Sequence, residues 1–146
     1  MKCEEVMTKD PKCCVPDDTA ARVAKLMKTE DVGAIPVCED RHGKKLIGIV
    51  TDRDLVVHVL SEGRDPNKVT VQDVMTRQPS TCRASDDLDK ALDAMQVYQV
   101  RRIPVVADGS LLIGIIAQAD IATRMRQPQK AGQVVEGISR RTGHAA

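Results

Sequence analysis

An internal repeat constrains the fold of this chain more than any other feature of its sequence. The tripeptide Val6-Met7-Thr8 recurs as Val74-Met75-Thr76, 68 positions later, and Ile35-Pro36-Val37 recurs at the same spacing as Ile103-Pro104-Val105. The spacing then falls to 66 positions, which matches Gly48 with Gly114 and Asp54 with Asp120. A sequence doubled in this way predicts two similar structural units.

The composition indicates a folded protein with an aliphatic core. The chain has 146 residues, of which 42% are hydrophobic, and this is enough for a core of useful size. It has no Trp, no Phe and a single Tyr, so nucleic-acid bases would find no aromatic platform to stack on. The formal charge of +1 lacks the basic excess that nucleic-acid binding needs. We therefore expect no nucleic-acid partner.

The location and redox state follow from two further features. No stretch approaches the ~20 apolar residues of a membrane helix, and Met1–Glu5 carries acidic residues where a signal peptide needs apolar ones. We expect a cytoplasmic protein with no membrane partner. The cysteines are odd in number and form no C-x-x-C motif, which predicts reduced, mostly buried thiols and no metal site. They are Cys3, Cys13, Cys14, Cys38 and Cys82.

Each repeat contains a first helix with one apolar stripe. In the first repeat, Asp17-Asp18-Thr19 is an N-cap signal, and it follows a short extended segment near 13–15. The helix after it places Ala20, Val23, Ala24 and Met27 on one face. The second repeat places Leu88, Ala91, Leu92 and Met95 in the same way. We predict that both stripes face the core.

A pair of strands and a closing helix follow in each repeat. Residues 34–38 and 46–50 are predicted to form a hairpin-like strand pair around a polar turn that contains Gly43, and 103–106 and 111–116 are their counterparts. The closing helices are predicted to begin near Asp52 and near Gln118. Each unit is therefore a strand, helix, strand, strand and helix, which is an α+β arrangement.

The domain organisation follows from the repeat. A unit of roughly 60 residues closes a marginal core by itself, so we expect the two units to pack sheet to sheet about a pseudo-twofold axis. The predicted boundaries are 1–62 for the first repeat, 63–70 for a linker, 71–126 for the second repeat and 127–146 for a tail. Two alternatives remain open for the tail. It is either disordered or forms a short helix with an apolar face of Val134, Val135 and Ile138.

The strand-to-helix junctions at 48–54 and 114–120 are the candidate binding sites. The start of a helix presents free N–H groups and positive dipole character to an anion, and Thr51 adds a hydroxyl there. The Asp54 carboxylate can accept two hydrogen bonds from a vicinal diol such as ribose. This combination suits a sugar phosphate. Thr and Asp are also ordinary N-cap residues, so helix capping is the alternative interpretation of either copy.

These motifs resemble a tandem cystathionine-beta-synthase (CBS) domain pair, or Bateman module, of the stand-alone prokaryotic type. The resemblance covers the chain from Val6 to Arg126 and is carried by 6–8 with Pro11, by 34–37, by 48–54 and by their second copies. It implies two β-α-β-β-α repeats that form a regulatory module without catalysis. It also implies an adenosine-containing ligand in clefts between the repeats, either AMP, ADP or ATP, or else NAD or S-adenosylmethionine.

The family pattern also assigns site residues. Thr51 would lie at the phosphate, with Arg53 in the same motif, and Asp54 and Asp120 would take the ribose hydroxyls. Backbone at Ile35-Pro36 and Ile103-Pro104 would border the adenine. Arg101 and Arg102 stand where relatives place basic residues against phosphates, although solvated charges at a strand edge explain them equally well. Ala117 replaces the usual Thr or Ser, which predicts weaker binding at Asp120 than at Asp54.

The sequence leaves three classes of function to consider. The leading hypothesis is an adenine-nucleotide-binding regulator of an unidentified partner protein, and the alternative is a ligand-free dimerisation or scaffold module. An enzyme with Cys13 or Cys14 as nucleophile needs a base, and no motif links these residues to any histidine, namely His42, His58 or His144. Redox sensing through Cys13 and Cys14 is a variant. A homodimer is expected from apolar residues predicted to face outward, namely Leu55, Val59 and Ile121.

Overall fold

The structure is a computed structural model that describes residues 1–124. The predicted tail at 127–146, with its optional short helix, and the last two residues of the predicted second repeat lie outside the described residues. The described chain forms two compact units. Unit I contains Pro11–Pro79 and Gly109–Leu112, and unit II contains Met1–Asp10, Ser80–Asp108 and residues 113–124.

The helices and strands are short. The helices are α1 (Ala20–Glu30), α2 (Asp52–Leu55), α3 (Val71–Val74), α4 (Leu88–Tyr98) and α5 (Gln118–Arg124). The strands are β1 (Thr8–Lys9), β2 (Ala34–Cys38), β3 (Leu46–Thr51), β4 (Thr76–Arg77), β5 (Cys82–Arg83), β6 (Arg102–Ala107) and β7 (Leu111–Ala117). A π-helical stretch, Val56–Leu60, continues α2, and 3-10 turns lie at Cys3–Glu5 and Asp108–Ser110. None of the helices within 1–124 is both long and apolar enough to cross a membrane.

Unit I is built on an antiparallel sheet, and unit II is built on a mixed sheet. Unit I has the strand order β2-β3-β4, and unit II has the order β1-β7-β6-β5. Strand β2 runs antiparallel to β3, with Ala34 opposite Thr51, whereas β5 runs parallel to β6. The predicted α+β class and the predicted hairpin-like pairs are confirmed. The packing of one unit on the other about a pseudo-twofold axis stays a prediction.

Two short strands that the sequence did not predict complete the sheets. Strand β1, at the start of the first sequence repeat, pairs with β7, and β4, at the start of the second, pairs with β3. Each compact unit is therefore discontinuous in sequence, whereas the predicted repeats at 1–62 and 71–126 are continuous. The repeat and linker boundaries remain a prediction about the sequence.

Two glycines allow these short strands to approach. A Cβ added at Gly48 would lie 2.8 Å from the carbonyl oxygen of Thr76, which belongs to β4. A Cβ added at Gly114 would overlap the side chain of Met7, which precedes β1. Both glycines are in the middle of long strands, where the absence of a side chain normally weakens pairing. Here it makes room for a neighbouring strand.

The first helices bury the predicted stripes, with one correction. All four predicted core residues of α4 are buried, as are Ala20, Val23 and Met27 of α1. Ala24 is exposed, and Leu26 packs against the core instead. The buried face of α1 is rotated toward Leu26 because a leucine side chain removes more apolar surface from water than an alanine.

The outward direction predicted for Leu55, Val59 and Ile121 is wrong. Val59 and Ile121 are 2% and 0% exposed, and Leu55 is half-buried against the core of unit I. A hydrogen bond of 2.9 Å from Ser61 N–H to the Val56 carbonyl spans five residues. This π turn holds more residues than an α turn, so the apolar face no longer follows the 3.6-residue period. The exposed apolar residues there are Val56, Val57 and Leu60.

Candidate functional site

In unit I the junction between β3 and α2 forms a capping box. Thr51 is the N-cap, its Oγ1 accepts a hydrogen bond from Asp54 N–H at 3.1 Å, and Asp54 Oδ2 accepts one from Thr51 N–H at 2.9 Å. The two residues therefore hold each other in place, as the capping interpretation predicts. Within residues 1–124, Asp54 Oδ1 has no hydrogen-bond partner, and the half-buried carboxylate keeps one oxygen free to accept.

Unit II has half of the same arrangement at the junction between β7 and α5. Asp120 Oδ2 accepts a hydrogen bond from Ala117 N–H at 3.0 Å, which matches the bond made by Asp54. Ala117 has no hydroxyl to accept from Asp120 N–H in return. The carboxylates of Asp54 and Asp120 are thus oriented in the same way, and only the first is accompanied by a side-chain hydroxyl.

The helix starts are tied to the neighbouring strands by one backbone hydrogen bond in each unit. Asp52 N–H donates to the Gly33 carbonyl at 2.9 Å, and Gln118 N–H donates to the Arg101 carbonyl at 3.1 Å. Gly33 directly precedes β2, and Arg101 directly precedes β6. The start of each of these strands is therefore held beside a capping aspartate.

The four predicted adenine-bordering residues lie on these strands and are buried. The side chains of Ile35 and Ile103 belong to the two cores, so only backbone groups are available there, as predicted. The Pro36 carbonyl already accepts a hydrogen bond from Cys14 N–H at 3.0 Å, and the Cys82 thiol contacts the Pro104 carbonyl at 3.9 Å. The proline carbonyls are therefore partly occupied by the chain itself.

The predicted basic residues are divided between the units. Arg53 is exposed on α2, whereas Arg101 and Arg102 are half-buried where β6 begins. The predicted site residues consequently form one group in unit I and a second group in unit II. The first group is Ile35, Pro36, Thr51, Arg53 and Asp54, and the second is Arg101, Arg102, Ile103, Pro104 and Asp120.

Two glutamines of unit II were missed by the sequence reasoning. Gln118 Nε2 and Gln99 Oε1 are buried and have no hydrogen-bond partner among the described residues. An unpaired buried polar group costs about 1–3 kcal/mol, which a bound donor or acceptor would recover. The sequence did contain a signal, because the two repeats differ at these positions. Where the second repeat has Gln99 and Gln118, the first repeat has Asp31 and Asp52.

The geometry disfavours Cys14 as a nucleophile, and residues 1–124 show no cluster of metal ligands. Cys14 is 2% exposed, and burial, followed by the nearby Asp18 charge, raises the pKa of its thiol to about 12. Such a thiol is protonated at neutral pH and is a poor nucleophile. Within 1–124, no group of three or more His, Cys, Asp or Glu side chains is arranged to hold a metal ion.

Comparison with known proteins gives a consistent assignment. The sequence profile of the CBS domain matches residues 3–61 and 71–127. The uncharacterised protein YlbB of Bacillus subtilis is 36% identical over 138 residues, which is 94% of this chain and 91% of YlbB. Hypoxic response protein 1 of Mycobacterium tuberculosis is 33% identical over 121 residues, which is 83% of this chain and 82% of that protein.

Solved structures agree with this assignment. The crystal structure of Hypoxic Response Protein I with two coordinated zinc ions has a TM-score of 0.76 and 32% identity, and the match covers 86% of this chain and 99% of that one. The CBS domain pair of protein MJ0100, in complex with 5'-methylthioadenosine and S-adenosyl-L-methionine, has a TM-score of 0.73 and 27% identity over 84% of this chain and 93% of that one. This chain therefore belongs to the CBS domain family and carries the domain twice.

Proposed function

We propose that this chain is a regulatory module that binds an adenine nucleotide and has no catalysis of its own. The ligand is AMP, ADP or ATP, with NAD or S-adenosylmethionine as alternatives. The observation that carries the proposal is the pair of aspartates held in the same orientation by backbone N–H groups, at 2.9 Å for Asp54 and 3.0 Å for Asp120. Each has a second carboxylate oxygen available to a ribose hydroxyl.

The comparisons support an adenosine-containing ligand. A CBS domain pair at 27% identity was crystallised with two such compounds, 5'-methylthioadenosine and S-adenosyl-L-methionine. Binding transmits a signal only if it favours one conformation or one partner complex over another. We propose that the protein acts in the cytoplasm as the sensor component of a complex with a regulated protein.

The two groups of site residues differ in what they offer a nucleotide. The Asp54 group has the Thr51 hydroxyl, and a lost hydrogen bond to a charged phosphate costs about 1.5–3 kcal/mol, or roughly ten- to a hundredfold in affinity. The Asp120 group lacks that hydroxyl but has two half-buried arginines and the unpaired Gln118 amide. We propose that the Asp54 group binds more tightly.

The capping geometry favours a second candidate function. The hydrogen bonds of Asp54 and Asp120 to the backbone are also what a purely structural helix cap requires. In that case the chain is a scaffold or dimerisation module without a ligand.

A thermal-shift titration separates the two functions. AMP, ADP, ATP, NAD and S-adenosylmethionine are added at millimolar concentration to the full chain. A ligand that binds only the native state stabilises it by about 2.7 kcal/mol at a hundredfold excess over Kd, so the melting temperature should rise by several degrees. An unchanged melting temperature with all five compounds would support the scaffold instead.

Asparagine variants then test the site by calorimetric titration. Asp54→Asn keeps an oxygen for the Thr51 N–H but replaces the other acceptor with an amide donor, so it should weaken the tighter binding phase without unfolding the protein. Asp120→Asn should leave that phase nearly intact. Asp52→Asn is the matched control, because the one hydrogen bond of this exposed carboxylate within residues 1–124 is accepted from Arg53 N–H, at 2.8 Å. If Asp120→Asn weakens nucleotide binding more than Asp54→Asn does, then Arg101, Arg102 and Gln118 determine which of the two groups binds the nucleotide.

We also propose that the chain forms a homodimer, now through different residues from those expected. Val56, Val57 and Leu60 are 53%, 37% and 66% exposed. Burying such side chains against a second copy removes apolar surface from water. Sedimentation equilibrium at micromolar concentration should show a dimer, and Leu60→Lys should shift it toward monomer. Val97→Lys, at a residue 65% exposed in unit II, is the control. A monomeric wild-type chain would contradict this proposal.

A further inference from the structure

We propose that Gln118 is a phosphate-binding residue of unit II, whose side-chain amide donates a hydrogen bond to a phosphate oxygen of the nucleotide. Together with Arg101 and Arg102, it makes the Asp120 group favour ligands that carry more phosphates. This inference rests on the proposed function, because it takes a nucleotide as the ligand.

Gln118 is the first residue of α5 and lies beside the start of β6. Its backbone N–H donates to the Arg101 carbonyl at 3.1 Å. Asp120 is two residues further along α5, where its Oδ2 accepts from Ala117 N–H at 3.0 Å. One backbone hydrogen bond and one helical turn therefore bring Gln118, Arg101 and Asp120 together within unit II.

The Gln118 amide is the feature that points to a ligand. Its Nε2 is buried and has no hydrogen-bond partner among the described residues. Nearly all buried polar atoms of a folded protein are paired, so this donor indicates an acceptor that residues 1–124 do not provide. Gln118 as a whole is half-buried. Because Nε2 gives up no hydrogen bond, a change of rotamer can bring it to a bound ligand.

The neighbouring side chains identify that acceptor as a phosphate. The guanidinium groups of Arg101 and Arg102 are donors only, and so is Gln118 Nε2. An ionised phosphate presents acceptors only, and hydrogen bonds to a charged acceptor are the stronger ones. The hydroxyls of a ribose are donors as well, and the Asp120 carboxylate is the acceptor available to them.

Gln99 does not share this role. Its Oε1 is also buried and without a partner among the described residues, but its Nε2 donates to the Gln96 carbonyl at 2.5 Å and holds the amide in place. The remaining atom is an acceptor, and an ionised phosphate has no proton to donate to it.

Unit I lacks these donors at the matched positions. Where the second repeat has Gln118 and the two arginines, the first repeat has Asp52, Gly33 and Ala34. The basic residue of the Asp54 group is Arg53, which is exposed, so solvent and salt screen its charge more than the charges of the half-buried arginines. Affinity should therefore rise with the number of phosphates more steeply at the Asp120 group than at the Asp54 group.

Calorimetric titrations of the full chain test the role of Gln118. They use an Asp54→Asn background, which leaves the Asp120 group to bind, and the ligands are adenosine, AMP, ATP and inorganic tripolyphosphate. Gln118→Met keeps the length of the side chain but removes the donor, so it should lower the affinity for AMP and ATP about tenfold and leave that for adenosine unchanged. Gln118→Glu should weaken ATP more than AMP, because repulsion grows with phosphate charge. Asp52→Asn, at the matched position, should alter none of these affinities.

The ligands also separate this inference from the proposed function. If Gln118→Met weakens adenosine as much as AMP and ATP, the assignment to phosphate is wrong and the nucleotide function stands. Tripolyphosphate that binds as tightly as ATP would show a general anion site and refute a nucleotide-specific role. If the wild-type chain binds none of the four compounds, the proposed function fails and the inference fails with it.

The stability of the ligand-free protein distinguishes a binding residue from a structural one. Gln118→Met removes a buried donor that has no partner to lose, so the melting temperature without ligand should equal or exceed that of the wild type. Thermal unfolding without nucleotide measures this. A fall of several degrees would mean that Nε2 is hydrogen-bonded within the chain, and the proposal would be overturned.

Discussion

Gly48→Ala is expected to lower the free energy of unfolding by about 3 kcal/mol, near the upper end for overpacking a well-filled site. The new Cβ would lie 2.8 Å from the Thr76 carbonyl oxygen and 2.9 Å from Met75 Sδ. The oxygen belongs to the backbone of β4, which pairs with β3 directly opposite this glycine, so it moves only if the strands separate. Urea denaturation of the variant and the wild type measures the difference.

Gly114→Ala is the matched change in unit II, and it should respond differently to a second substitution. The added Cβ there would meet the flexible side chain of Met7, with Cγ at 2.9 Å and Cβ at 3.1 Å. Met7→Ala should therefore partly rescue Gly114→Ala, with a favourable coupling energy in a double-mutant cycle. Met75→Ala should rescue Gly48→Ala much less. Full rescue by Met75→Ala would show that the Thr76 backbone is not the obstacle.

Asp18→Ala is expected to cost about 2–4 kcal/mol, because it removes the acceptor of a part-buried backbone N–H and a buried charge with its partners. Asp18 is 5% exposed. One oxygen accepts from Val15 N–H at 3.0 Å, and the other pairs with Arg41 at 2.5 Å and with Arg22 at 3.5 Å. The arginine side chains are 51% and 67% exposed, so solvent weakens the ion pairs. Equilibrium denaturation measures the cost.

Two further variants separate the contributions. Asp18→Asn keeps an acceptor for Val15 N–H and should retain much of the stability. Asp86→Ala is the matched change in the second repeat, where the half-buried carboxylate accepts from Arg83 N–H at 2.8 Å and lies 3.6 Å from Lys90 Nζ. It should cost about 1 kcal/mol, less than Asp18→Ala. Equal costs would mean that burial does not distinguish the two aspartates.

The elements that were predicted well are those with local signals. Strand β2 has the predicted bounds Ala34–Cys38, and the closing helices begin at Asp52 and Gln118. The N-cap at Thr19 accepts from Arg22 N–H at 3.1 Å. Short apolar runs and capping chemistry involve residues within a few positions of one another, so they can be recognised without knowledge of the rest of the fold.

The local capping geometry at the candidate site was predicted in the same way, whereas the role of these residues in binding stays a prediction. The capping box at Thr51 and Asp54 is a local motif, and its echo at Asp120 follows from the repeat. The unpaired Gln99 and Gln118 atoms were not foreseen, because whether a polar atom is buried without a partner depends on every element packed around it.

The sequence by itself determined that this chain contains two α+β units, where their principal strands and helices lie, and which aspartates cap the closing helices. The tertiary structure decided the rest. Only it pairs Thr8 with Ile115, more than a hundred positions away, and turns Val59 and Ile121 toward the core. These outcomes depend on contacts between distant segments. Such a contact forms only if its stabilisation exceeds the entropy lost in bringing the segments together, and a local pattern of residues does not show this balance.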